Sequence, residues 1–200
     1  MTAIAEPGRT LRIIGVDPER GFAGGESQVL GLTLELLRMG HDAQLLCDPD
    51  GLLWQRARAA EVVCHPLKIR NAVDCLAGLR MRRFLSDHRF DVVHFHTSRA
   101  HSMAPFIAGL AGTRVVTRRM DYVPSRLSAS CLYNRAVDAV AAISQEVANA
   151  LRAAGVSSKL ITIIPSGVDC RRFAPPTPDQ RTAAREALGL AADQLAVAAV

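Results

Sequence analysis

The sequence predicts an α/β fold, a doubly wound and mostly parallel sheet with helices on both faces. Three observations lead there. Short apolar runs, several β-branched, alternate with longer amphipathic stretches from residue 11 onward, which is the rhythm of βαβ units. Gly40, Gly155 and Gly189 close three of the amphipathic stretches, as expected where helices end in a left-handed residue. Ala, Leu and Val dominate a chain that is 49% apolar and only 4% aromatic, so aliphatic helices should pack on aliphatic strands.

Taken in order, residues 11–16 form the first strand. A loop holding Gly21, Gly24 and Gly25 leads to a helix over 26–39, whose apolar face is Val29, Leu30, Leu32, Leu36 and Leu37. Residues 43–47 are a strand, 52–60 a helix, and 61–65 a third strand closed by Pro66. A helix follows over 72–88, then a strand at 92–95, a helix at 100–110, and strands at 114–117 and 139–143. Ser144 is placed to cap a helix over 145–154, with Glu146 complementing its dipole. Residues 159–164 are the last strand of the sheet, ended by Pro165 and Gly167. A cluster of Pro175, Pro176 and Pro178, a helical pattern over 181–188 and an apolar run at 195–200 come after it. The expected organisation is therefore one domain over 1–172, a linker over 173–192, and over 193–200 the first strand of a second, missing domain. In open parallel sheets ligands sit outside the carboxyl ends of the strands. That directs attention to the loops after Val16, Cys47, Phe95, Thr117, Ile143 and Ile164.

Two hundred residues suffice for one sizeable core with some excess. The formal charge of +5 comes mainly from arginine, with doublets at Arg82-Arg83, Arg118-Arg119 and Arg171-Arg172. Such doublets suit phosphate or carboxylate, or are simply solvated. They are scattered rather than gathered in one strip, and aromatic residues are few, so no nucleic-acid partner is expected. Five cysteines without a C-x-x-C pair give neither a zinc ribbon nor a disulfide framework and point to a reducing, cytoplasmic setting. The first ten residues lack the pattern of a signal peptide, and the longest apolar stretch, 103–112, is too short to span a bilayer. The helix near 72–89 combines Val73, Leu76, Phe84 and Leu85 with Arg80, Arg82, Arg83 and Arg89. That composition suits peripheral attachment to an anionic inner membrane face as well as ordinary packing on the sheet.

Several short patterns carry chemistry. Gly24 and Gly25 immediately precede a helix, where free amides and the dipole favour an anion, although the spacing is not G-x-G-x-x-G. Asp48 stands where a ribose-binding acid would stand in a nicotinamide-dependent enzyme. His94 and His96 share one face of a strand; the first reads as structural, the second as a site candidate at the carboxyl end. With His101 they lack the acidic or thiolate partner of a zinc site, so no metal is expected. Asp121 lies beside Arg118 and Arg119, which favours its charged form and suits it to holding a sugar hydroxyl.

In their order and spacing these pieces resemble the family 4 glycosyltransferases, retaining enzymes of the GT-B architecture. The resemblance rests on Gly24-Gly25-Glu26, Glu35-Leu-Leu-Arg-Met-Gly-His41, Asp91-Val-Val-His-Phe-His96, Val115-Val-Thr117, Ala142-Ile-Ser144-Gln-Glu146, and Ile164-Pro-Ser-Gly-Val-Asp169 followed by Phe173 and Pro175. It implies a Rossmann-like, acceptor-side domain whose donor-binding partner domain lies elsewhere, in cis or in trans. It further implies that Gly24, Gly25 and Glu26 approach the donor diphosphate or the acceptor. His96 would lie near the transferred sugar, with Asp121 as a second catalytic group. The carry-over to Asp121 departs from relatives that have His-Asp where this chain has Met120-Asp121. Charge and position, rather than the motif, assign Arg118 and Arg119 to an anionic acceptor, and Ser144 is grouped with them.

No cofactor is implied beyond a nucleotide-sugar co-substrate; the acceptors envisaged are a lipid or a cell-envelope glycan. The lack of a paired-carboxylate motif fits this chemistry and argues against an ordinary glycoside hydrolase. The chain alone is expected to be inactive. Two alternatives stay open: a nicotinamide-dependent or sugar-nucleotide-modifying Rossmann enzyme, and a non-catalytic binding subunit or remnant.

Overall fold

A computed structural model describes residues 9–120, 123–171, 173–191 and 193–197. The chain divides into two compact units, Met1–Ser166 and Gly167–Val200. Among its described residues the first holds seven strands, β1 (Arg12–Asp17), β2 (Asp42–Cys47), β3 (Cys64–Pro66), β4 (Val92–Phe95), β5 (Thr113–Arg118), β6 (Ala139–Ala142) and β7 (Ile161–Ile163). They form one sheet in the order β3-β2-β1-β4-β5-β6-β7, with every pair parallel. The order reverses between β1 and β4. Chains leaving those two strands at their carboxyl ends depart to opposite faces, which opens a crevice there.

One face carries α1 (Gly24–Arg38) and α2 (Leu52–Ala59). Val29, Leu53 and Ala57 of these helices close on Leu45, Cys47 and Val62. The larger core lies on the other face. There Ile14, Val16, Val93, Phe95, Val116 and Val140 meet α3 (Cys75–His88), α4 (Ser98–His101), a 3-10 turn (Ala104–Ile107), and a run made of α5 (Arg126–Ser128), a π-helical segment (Ala129–Tyr133) and α6 (Asn134–Ala136). α7 (Gln145–Ala153) completes this layer through Val147 and Leu151. Phe95 and Tyr133, both fully buried, are among its largest members. Burying a side chain of that size contributes about 1.5–3 kcal/mol.

Several boundaries differ from those read in the sequence. α1 begins at Gly24, two residues early, because the Glu26 carboxylate accepts from the Ala23 amide at 2.7 Å and stabilises the first turn. The third strand is Cys64–Pro66 rather than 61–65, since Glu61 turns in the left-handed region at φ 61° and delays it. Pro66 sits inside this strand, which an edge position tolerates. α3 starts at Cys75 because Asp74 caps it, accepting from Ala77 N at 3.1 Å. The helix expected over 100–110 is replaced by four-residue α4 and the 3-10 turn around Pro105. The helical run over 126–136 is new. The last strand shortens to β7 because Ser158–Leu160 is a 3-10 turn.

In the second unit Thr177 and Gln180 cap α8 (Pro178–Ala187) reciprocally, Thr177 N donating to Gln180 Oε1 at 2.9 Å and Gln180 N to Thr177 Oγ1 at 3.2 Å. Residues 195–197 belong to no regular element, and the remainder of the run expected to be a strand, 198–200, lies outside the described residues. Among the described residues no helix is long and apolar enough to cross a membrane.

Candidate functional site

The crevice at the β1–β4 switch point is built from side chains that leave three strands on the α1 face. β1 ends in Gly15-Val16-Asp17, and the pleat sends Gly15 and Asp17 to the same side. His94 pairs with Gly15 across the ladder, and His96 N continues the pairing by donating to Val16 O at 3.1 Å. A Cβ on Gly15 would fall 3.2 Å from His96 Nε2 and 2.9 Å from Leu45 Cδ2. Only glycine leaves room for the His96 ring against this part of β1. The ring lies against His94, tilted by 35° with centroids 4.0 Å apart, and His94 Nε2 in turn pairs with Thr117 Oγ1 at 2.6 Å.

β5 delivers the arginine doublet, and the pleat splits it. Arg118 turns into the larger core, 3% exposed, where its Nε donates to Met120 O at 2.9 Å and its Nη1 to Tyr133 Oη at 3.3 Å. His101, which lies edge-on to Tyr133, belongs to that side as well. Arg119 turns the other way: its Nη1 donates to the His96 carbonyl oxygen at 2.6 Å, while its buried Nε has no partner. Asp17, Glu26 and Arg119 interact through their charges.

Asp17 is fully buried. One carboxyl oxygen accepts from Glu19 N at 3.1 Å and the other has no partner. Burial, reinforced by the charges of Glu26 and Glu19, pushes this carboxyl up to about 7; the Glu19 amide and Arg119 oppose the rise. Burial likewise pushes His94 down to about 4 and holds His96 well below the ordinary histidine range, with the charge of Arg119 acting in the same direction on both. His101 is driven down to about 3, chiefly by burial and then by Arg118. At neutral pH the three rings are therefore uncharged. A neutral imidazole offers one donor and one acceptor, which suits hydroxyl groups.

Gly24 and Gly25 open the first turn of α1, whose leading amides lack helical partners. A Cβ at either glycine would meet nothing within 4 Å, so the space above the helix terminus is open. Glu26, 8% exposed, is occupied with the Ala23 amide beneath that opening. Ser144 caps α7, its hydroxyl accepting from Val147 N at 3.3 Å. Asp121 lies outside the described residues. Asp48 is engaged by Arg20 Nε at 2.9 Å and by Asp50 N at 3.0 Å, so its carboxylate is already satisfied without a ribose. Val73, just before α3, and Leu76 and Leu79 on it are exposed, Leu85 is buried, and Arg82 is tied to the Phe106 and Ala108 carbonyl oxygens.

The structure thus gathers His96, Arg119 and Glu26 near one another, beside the open terminus at Gly24 and Gly25, and sends Arg118 to the opposite face of the sheet. Sequence reasoning missed Asp17 and Gly15. The signal was there: a glycine inside a strand marks a close approach, and an acid stands two residues on, at the carboxyl end.

The family model of Glycosyltransferase Family 4 matches residues 22–172. Among solved structures, Alr3699/HepE of Anabaena in complex with UDP and glucose is 18% identical with a TM-score of 0.70, covering 90% of this chain and 50% of that one. A glycosyltransferase of Rickettsia africae is 18% identical with a TM-score of 0.74, covering 92% and 51%. The lipopolysaccharide outer core galactosyltransferase WaaB is 16% identical with a TM-score of 0.62, covering 84% and 50%. The chain spans about half the length of these structures. No curated protein sequence matches.

Proposed function

We propose, because the chain belongs to glycosyltransferase family 4, that it serves the retaining transfer of a sugar from a nucleotide-sugar to an acceptor and carries the acceptor-side half of that site. The observation behind this reading is the polar cluster of His96, Arg119 and Glu26 at the strand carboxyl ends, inside the matched segment 22–172 and beside the open amino terminus of α1. The sheet order and the likeness to HepE, solved with UDP and glucose, support it.

In this reading the neutral His96 ring bonds a hydroxyl of the transferred sugar. The amides at Gly24 and Gly25 face the diphosphate or the acceptor, and Arg119 is the arginine of the doublet placed to meet an anionic acceptor. Same-face displacement needs no protein nucleophile: the departing diphosphate removes the proton of the incoming hydroxyl, and positioning with electrostatics supplies most of the rate. A lipid or cell-envelope glycan is the proposed acceptor class, in keeping with the lipopolysaccharide named for WaaB. The exposed apolar residues and arginines of α3 would bring the protein to an anionic bilayer. The nucleotide-sugar itself is proposed to bind mainly to a second half, supplied in cis or in trans.

Calorimetric titration of the 200-residue chain tests the division of labour. Weak or absent heats are expected with UDP-glucose and UDP-galactose; tight binding or hydrolysis of either by this chain would overturn it. Sedimentation with liposomes tests the membrane arm, which fails if binding does not depend on anionic lipid.

A further inference from the structure

Asp17 plays no part in the chemistry just described, yet its surroundings are unusual. It is a fully buried carboxyl at the end of β1 with one oxygen unpartnered. On the same face, Gly15 gives up its side-chain volume to the His96 ring. Arg119 connects the two: it interacts through its charge with Asp17 and Glu26, and its Nη1 holds the His96 carbonyl oxygen at 2.6 Å. One unpartnered donor, Arg119 Nε, and one unpartnered acceptor, Asp17 Oδ2, therefore belong to the same charged cluster.

We propose that Asp17 is a positioning residue for His96, acting through Arg119: gain or loss of the Asp17 proton changes the pull on the guanidinium and thereby resets the His96 backbone and ring. Its bearing on catalysis rests on the reading of His96 as the sugar-facing histidine; the coupling itself does not.

The groups facing the Asp17 carboxyl are Glu19 in the following loop, Glu26 on α1, Arg119 after β5 and, at the end of β2, Cys47. His96, just after β4, is held next to this end of β1 by its amide bond to Val16 O, and His94 pairs with Gly15. Ionised Asp17 joins Glu26 in acting on the half-buried Arg119 guanidinium, whereas Glu19 is paired with Arg99. Protonated Asp17 leaves Arg119 to Glu26 and the His96 carbonyl. Because burial sets the Asp17 transition at about 7, both states are populated at neutral pH. His96 stays uncharged across that range, so any response of its ring reports the neighbour rather than its own protonation.

Long-range proton–nitrogen spectra of the histidine rings, recorded on the 200-residue chain across the neutral pH range, test this. The His96 signals, assigned by their loss in His96→Gln, should shift with a midpoint near 7 while remaining in the neutral-ring region. Asp17→Asn should abolish the inflection and Asp17→Glu should retain one. Arg119→Lys, which keeps the charge but replaces the planar guanidinium that holds the His96 carbonyl with a shorter-reaching ammonium, should flatten the His96 response while the Asp17 carboxyl carbon still titrates. A flat His96 profile in the unaltered chain, or an inflection that survives Asp17→Asn or Arg119→Lys, would overturn the proposal. None of these results depends on nucleotide-sugar binding, so the coupling and the transferase reading fail separately.

Discussion

Replacing Asp17 by Asn should stabilise the protein at alkaline pH and leave it nearly unchanged in acid. The folded carboxyl has its transition at about 7, against 3.8 for an ordinary aspartate, a rise of about 3. At 1.36 kcal/mol per unit that is about 4 kcal/mol. The folded state keeps the Asp17 proton through this window while the unfolded state has lost it, so the folded state binds more protons. Stability from this group is full below pH 4 and is lost as pH rises through about 7. Asn keeps the shape and the acceptor for Glu19 N but never ionises. Urea unfolding of both chains at acid and alkaline pH, compared as a difference, cancels the other titrating groups. The variant should gain about 4 kcal/mol over the parent above neutrality and little in acid. A constant difference across pH, or an alkaline loss of stability in the variant, would refute the assignment of Asp17 as a buried, proton-retaining acid.

Gly15→Ala sets a small entropic gain of about 0.5–1 kcal/mol against a Cβ at 2.9 Å from Leu45 Cδ2 and 3.2 Å from His96 Nε2. Overpacking of about 1–3 kcal/mol should win. The melting temperature should therefore fall and the His96 ring signals should move; an unchanged or raised melting temperature counts against the close packing. Gly112→Ala should cost more, about 2–4 kcal/mol, because φ is +103° and the new Cβ would lie 2.5 Å from Phe90 O; denaturant titration measures it. The neutral buried rings act on the acid side. With His94 at about 4 and His101 at about 3, stability is full above about 6.5 and falls as pH drops, because the unfolded rings protonate first. His101→Phe should make that acid loss shallower in pH-dependent melting, and an unaltered slope would sink the attribution. Ser144→Ala removes the cap on α7 and should cost about 1 kcal/mol.

What the sequence discloses follows the physics that acts locally. β4 falls on the expected residues, because Val92-Val-His-Phe95 is short, apolar and bounded by polar neighbours. The parallel sheet follows from the alternation of strands and helices. The run over 126–136 escaped notice because its turns are α-, then π-, then α-helical, with no steady period for the apolar residues to mark. The site was legible only in part. Position at a strand's carboxyl end picked out His96 and the doublet Arg118-Arg119, but not which arginine faces the crevice, since a single residue of register decides it. Asp17 was hidden for another reason: its significance lies in what surrounds it, namely Glu26 nine positions away and Arg119 from a strand two places across the sheet.

The division of Arg118 from Arg119 reaches beyond this fold. Two neighbouring codons answer to separate constraints, one to the integrity of the interior around Tyr133 and the other to the bond that holds the His96 carbonyl. Mutating the doublet as a unit would confound collapse of the interior with a change in the crevice. Variants made to test the proposed acceptor role should hold the first position fixed and vary only the second.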